Sequence, residues 1–240
     1  MIIDAISLFP EAIHCPLGVG VVGKAREAGY ITLRVHDLRD FAEGRHRVTD
    51  EPPFGGGPGM VMKPEPFFRA VDYCRSGKKS EGVWPRVILT TPQGRRLTHR
   101  RCEELAREEH LILLCPRYEG IDDRVRRWLV TDEISIGDFV LSGGEIPATA
   151  IVDAVARLVP GVLGGEGSAE SDSFSQGLLE GPHYTRPRDF RGMRVPDVLL
   201  SGNHGAIEAW RRAMALDATR QRRPELLSRH CEIGLSESRV

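Results

Sequence analysis

The sequence predicts an α/β protein built on a mostly parallel sheet with helices packed over it. Short runs rich in β-branched and aliphatic residues alternate with segments of helical periodicity. Glycine-rich segments fall where strands should end. A length of 240 residues suffices for one large α/β domain, or for a domain of roughly 150 residues with a smaller one attached.

The expected strands are residues 1–9, 31–37, 86–91, 110–115 and 132–136, short enough and apolar enough to be buried in a parallel sheet. Between them, 17–28, 64–75, 98–107 and 121–129 read as helices, the last with Ile121, Val125 and Trp128 on one stripe. Segment 147–159 leaves almost no polar face, so its helix belongs in a core or an oligomer interface. Segment 161–175 is rich in glycine and serine, carries Glu166, Glu170 and Asp172, and lacks periodicity; it reads as a flexible linker. A helical tail follows, clearest over 205–216, where Ile207, Trp210 and Met214 share a face.

Composition excludes several classes. No apolar run approaches the ~18 residues needed to span a bilayer, and the first residues lack a basic n-region and a signal-peptidase site. A cytoplasmic protein with no membrane partner is expected. Five widely spaced cysteines without a C-x-x-C pair support neither a disulfide framework nor a structural zinc. The net charge of −1 hides an uneven distribution: between His183 and Arg223 nine arginines face four acids, a local balance of +5. That stretch is either a footprint for a polyanion or a solvated helical surface.

Gly18-Val19-Gly20-Val21-Val22-Gly23-Lys24 imitates two phosphate-binding motifs and satisfies neither. A P-loop needs Ser or Thr after the lysine, and position 25 is Ala. A dinucleotide fingerprint should follow its strand immediately, and eight residues intervene here. A glycine-tolerant helix start accounts for the run.

The stronger signal is a set of loops at strand ends: Thr91-Pro92-Gln93-Gly94, Arg117-Tyr118-Glu119-Gly120 and the segment 136–145. In a parallel sheet such loops form the ligand crevice, and glycine there lets main-chain N–H and C=O groups approach a ligand.

Longer motifs then appear in order along nearly the whole chain. They are Pro-Phe-Gly-Gly-Gly-Pro-Gly-Met-Val-Met (53–62), Arg-Tyr-Glu-Gly-Ile-Asp-Asp-Arg-Val (117–125), Glu-Ile-Ser-Ile-Gly-Asp-Phe-Val-Leu-Ser-Gly-Gly-Glu (133–145), Asp-Ser-Phe (172–174) and Pro-His-Tyr-Thr-Arg-Pro (182–187). In these the chain resembles the bacterial tRNA (guanine-N1)-methyltransferases of the TrmD family, within the SPOUT superfamily. The resemblance implies a SPOUT α/β fold with a deep trefoil knot in its C-terminal half, and a homodimer that binds S-adenosylmethionine in the knot. It also implies a small helical C-terminal domain that grips tRNA rather than DNA. On this basis residues 1–160 form the cofactor domain, 161–175 the linker and 176–240 the tRNA-binding domain.

Transferred by position, the resemblance places the cofactor against Leu89, Thr90, Thr91, Pro92 and Gly94 in the first loop. Pro116, Tyr118, Glu119 and Gly120 follow in the second, and Ile136, Gly137, Leu141, Gly143, Gly144 and Pro147 in the third. Pro116 stands where the family usually has glycine. It removes an N–H donor, which puts any main-chain contact donated there in question. Glu119 either meets the charged amino-acid end of the cofactor or caps the helix beginning near Ile121.

The implied reaction methylates N1 of the guanine just 3′ of the anticodon, position 37, preceded by another guanine. Asp172 is the implied base for the N1 proton, and Arg157 the cation that meets charge developing on O6. Spacing alone explains Arg157 differently, as an i,i+4 ion-pair partner of Asp153, and an aspartate in such a linker is ordinarily just solvated. The linker composition suits a segment that orders when RNA docks and so delivers Asp172. The resemblance also implies a dependence on magnesium, for which the sequence nominates no ligands.

Overall fold

Alternate residues of the first strand face opposite sides of one sheet, and both sides are buried. In the computed structural model, which describes residues 1–76, 84–164 and 172–227, the chain divides into two compact units, Met1–Gly164 and Gly165–Val240. The first unit runs β1 (Ile2–Ser7), α1 (Glu11–His14), α2 (Gly20–Glu27), β2 (Thr32–Asp37), β3 (Asp50–Glu51), β4 (Val61–Met62), α3 (Pro64–Ser76) and β5 (Arg86–Arg96). It continues through α4 (His99–Ala106), β6 (His110–Leu114), α5 (Asp123–Trp128), β7 (Asp132–Ser135) and α6 (Glu145–Ala156).

Five of these strands form a sheet in the order β2-β1-β6-β5-β7, every pair parallel. Ile3, Ala5, Leu33, Ile88, Leu111 and Leu113 pack on one face with residues of α2, α4 and α6. Ile6, Val87, Leu89, Ile112 and Leu114 pack on the other with residues of α3 and α5. Burial on both faces is why these strands read as continuous apolar runs. The expected α/β architecture with a mostly parallel sheet is therefore observed.

The differences from expectation are local. The strand expected to stop at residue 91 continues to Arg96, because the chain leaves β7 after Thr90 and rejoins it at Arg95; the first loop is the excursion between. Expected helix 17–28 is split into a 3₁₀ turn, Pro16–Gly18, and α2. In α5, Val125 is buried but Trp128 is 67% exposed, against the expected stripe. The helix starts only at Asp123 and ends at Trp128, so Leu129, four residues after Val125, takes the core position. Segment 147–159 resolves into α6, whose Ala148, Ile151, Val152, Val155 and Ala156 lie in the first core.

The second unit contains a hairpin of β8 (Asp189–Phe190) and β9 (Met193–Arg194) and a long helix, α7 (His204–Arg222). Arg191 and Gly192 have φ of 57° and 81°, the left-handed pair a tight hairpin needs. Asn203 caps α7 by accepting the Ala206 N–H at 3.1 Å. Ile207, Trp210 and Met214 share the half-buried face of α7, and Leu179 N–H donates to Thr219 Oγ1 at 2.9 Å. All nine arginines of the basic stretch are exposed.

Candidate functional site

The excursion within β5 and the loops leaving the carboxyl ends of β6 and β7 converge on a cavity of about 410 Å³ in the first unit. The first contributes Leu89, Thr90, Thr91, Pro92 and Gln93; the second Pro116, Arg117, Tyr118, Glu119 and Gly120. From the third come Ile136, Gly137, Leu141, Gly143, Gly144 and, at the start of α6, Pro147. Gly94 stands outside the lining. A Cβ there would lie 2.5 Å from the Ile134 backbone nitrogen, so its bare backbone lets the returning limb of the first loop run against β7.

Gly144 is where the three loops meet. A side chain at this position would collide with Thr90 Oγ1 and come within 2.6 Å of Pro116 Cδ and 2.7 Å of Cys115 Cα. Thr90 Oγ1 lies 3.1 Å from the Leu114 carbonyl and 3.3 Å from that of Gly144. The Gly144 N–H donates to the Pro116 carbonyl at 2.8 Å. The contact made at Pro116 is thus an accepted one, which proline supplies as well as any residue.

The second loop is sewn to the segment before α3. Glu119 N–H donates to Met60 O at 3.0 Å, Met62 N–H to Gly120 O at 2.9 Å, and Asp122 N–H to Met62 O at 2.9 Å. Tyr118 is held at φ 59°, a left-handed conformation that non-glycine residues adopt at a cost and that clusters at functional sites. The cap of α5 is Asp122, whose carboxylate accepts the Arg124 N–H at 2.9 Å. Glu119 is therefore not the helix cap; it is exposed and lines the cavity.

Sequence reasoning passed over Gln93, Arg117, Asp123, Arg126 and Phe139, all of which line the cavity. Gln93, Arg117, Asp123 and Phe139 lie inside the motifs already quoted, so membership in those runs was the available signal. Arg126 sits on α5 just beyond them and donates to Gln93 Oε1 at 2.6 Å; only the folded helix brings it to the first loop.

Arg157 and Asp172 belong one to each unit. Arg157 is exposed at the C-terminal end of α6, its N–H 3.3 Å from the Asp153 carbonyl. Asp172 is half-buried in a turn in which its carbonyl accepts from both the Ser175 N–H at 3.2 Å and the Ser175 hydroxyl at 2.7 Å. Residues 165–171 of the expected linker lie outside the described residues.

Away from the cavity, Asp4 is fully buried and accepts hydrogen bonds from Arg34 at 2.8 and 2.6 Å, with His36 Nε2 and His110 Nε2 each at 2.6 Å. Burial alone would raise this carboxyl, but the hydrogen bonds from His110, His36 and Arg34 outweigh it and hold the group well below the usual carboxylate range. Among the described residues Asp4, His36 and Cys74 have metal-ligand spacing. The carboxylate is already engaged by Arg34 and two imidazoles, and a nitrogen and sulfur donor set does not suit magnesium.

Comparison with known proteins agrees with this geometry. The model of the family tRNA (Guanine-1)-methyltransferase TrmD matches residues 1–229. A tRNA (guanine-N(1)-)-methyltransferase of Anoxybacillus flavithermus is 54% identical over 227 residues, covering 95% of this chain and 91% of the relative. Those of Geobacillus kaustophilus and Bacillus subtilis are 53% and 51% identical, each over 230 residues, 96% of this chain and 93% of the relative. With a parallel sheet, three glycine loops closing on one cavity and likeness along almost its full length, this chain belongs to the TrmD family of tRNA (guanine-1)-methyltransferases.

Proposed function

We propose that the chain transfers a methyl group from S-adenosylmethionine to N1 of the guanine 3′ of the anticodon, position 37 of tRNA. The observation that carries this reading is the convergence of the excursion within β5 and the loops after β6 and β7 on one cavity, in a chain of this family.

The residues present fit the cofactor. The cavity volume lies in the ~300–1,000 Å³ range of small-molecule sites. Leu89, Ile136, Leu141 and Pro147 offer apolar faces to a flat heterocycle, and the main chain of the second and third loops offers donors and acceptors to its edge. When bound, S-adenosylmethionine supplies an electrophilic methyl group on a sulfonium.

Guanine N1 is a poor nucleophile until its proton leaves, so a carboxylate must reach that proton; in this reading Asp172 accepts it. Negative charge then develops on O6, and Arg157 meets it there. The nine exposed arginines of the second unit contact tRNA phosphates, as their charge and bidentate geometry allow. Residues 1–160 hold the cofactor, 161–175 join the domains and 176–240 bind tRNA; the division of the chain at Gly164 supports this partition. Homodimerisation, the deep trefoil knot and a cytoplasmic location belong to the same reading, on the strength of family membership. Magnesium enters it as a dependence to be measured, with no ligands assigned.

Single-turnover methylation by two variants tests the roles. Asp172→Asn should abolish turnover and leave S-adenosylhomocysteine binding nearly intact; a variant that turns over normally removes Asp172 from the base role. Arg157→Ala should slow methyl transfer by roughly 10²–10³-fold. An unchanged rate would leave Arg157 to Asp153.

A further inference from the structure

A buried charge stands beside the cavity. Glu145, the first residue of α6, is 2% exposed, and a carboxylate taken out of water is costly unless paired and hydrogen-bonded. Its Oε1 accepts the Ser7 hydroxyl at 2.7 Å. Ser7 Oγ in turn accepts the Phe9 N–H at 2.8 Å, so the end of β1 is tied to the start of α6. Glu145 Oε2 lies 3.0 Å from Arg117 Nε, yet the N–H is not aimed at it, and both atoms are buried without a hydrogen bond. The pair is held by charge alone.

Arg117 reaches from the second loop to the third. Its Nη1 donates to the Ser142 carbonyl at 3.4 Å, and its guanidinium lies 4.4 Å over the Phe9 ring. The backbones of the two loops pair at the same point, Arg117 bridging to Gly143. A Cβ on Gly143 would collide with Arg117 Nε and lie 2.5 Å from Glu145 Oε2. The ion pair therefore closes over a position that only glycine can occupy. Arg117 lines the cavity, whereas Ser7 and Glu145 do not, so Arg117 is the side chain through which those two can act on a ligand.

We propose that Glu145 is a positioning residue for the cofactor: its carboxylate, anchored by Ser7, fixes Arg117, which sets the spacing of the second and third loops across the cavity. This inference rests on the reading of the cavity as the S-adenosylmethionine site.

Calorimetric titration with S-adenosylhomocysteine tests it in the wild type, Glu145→Gln, Ser7→Ala, Arg117→Met and the Glu145→Gln/Arg117→Met double variant. Glu145→Gln should weaken binding about tenfold, Arg117→Met at least as much, and Ser7→Ala less. In the Arg117→Met background, Glu145→Gln should have no further effect on Kd. In turnover, KM for S-adenosylmethionine should rise while KM for tRNA does not. A wild-type Kd in Glu145→Gln, or penalties that multiply in the double variant, overturns the proposal. Should Glu145→Gln fail to fold, Ser7→Ala decides alone, since it removes the anchor and keeps the charge; an unchanged Kd there overturns the proposal equally. Failure of the wild type itself to bind S-adenosylhomocysteine would instead refute the assignment of the cavity, and this inference with it.

Discussion

The Gly144 N–H and the Pro116 carbonyl, 2.8 Å apart, form a main-chain hydrogen bond that joins the second and third cavity loops. Proline retains the group this contact uses. Pro116→Gly should therefore change the Kd for S-adenosylhomocysteine by less than about threefold, because it restores an N–H without altering the acceptor. Titration of the variant checks this; a tenfold gain in affinity would show that the missing donor matters.

Gly144→Ala should be far more damaging. The added methyl meets Thr90 Oγ1, Pro116 Cδ and the Cys115 backbone together, and overpacking of this kind costs about 1–3 kcal/mol. Denaturant unfolding should register that loss, and S-adenosylhomocysteine should no longer raise Tm as it does in the wild type. Wild-type stability and affinity would mean that the loops part easily at this point.

Asp4 predicts an acid-labile fold. Its carboxyl is held below the usual range in the folded chain, so its contribution is fully present above the unfolded value of ~3.9 and is lost as pH falls below it. Asp4→Asn should cost about 2–3 kcal/mol at neutral pH, toward the low side for a broken buried pair because Arg34 is partly solvated. The penalty should shrink as both proteins are unfolded at progressively lower pH. A penalty independent of pH between 6 and about 3 would assign Asp4 a packing role only.

The thiols should separate by burial. Desolvation pushes Cys74 up to about 12 and Cys102 to about 11, and Cys115 well above the usual thiol value, with the Glu145 carboxylate adding to the last. Cys15 is exposed. Brief alkylation of the native protein followed by peptide mapping should find Cys15 modified and Cys74, Cys102 and Cys115 protected. Rapid labelling of Cys115 would contradict the closed junction of loops at Gly144.

The main strands were legible because a sheet buried on both faces writes itself as apolar runs, as in β1 and β6. The two-residue strands β3 and β4 were not, since two residues show no period. Trp128 misled because helical spacing was extended past the true start of α5. The cavity loops could be read from their motifs, but the Ser7–Glu145–Arg117 chain could not. Ser7 and Glu145 are 138 residues apart, and nothing local marks either as buried together. Asp4 likewise owes its state to Arg34, His36 and His110, which only the sheet register assembles. Arg157 and Asp172 were nominated by the family's motifs, not by their spacing.

In the proposed function this chain places a methyl group on one nitrogen of one guanine. Unmodified tRNA with a guanine pair at the 3′ border of its anticodon, incubated with isotopically labelled S-adenosylmethionine and digested for nucleoside mapping by mass spectrometry, tests it most directly. Label should appear as 1-methylguanosine at position 37 and nowhere else. Label on another base or on ribose, or none at all on tRNA that the protein binds, would contradict it.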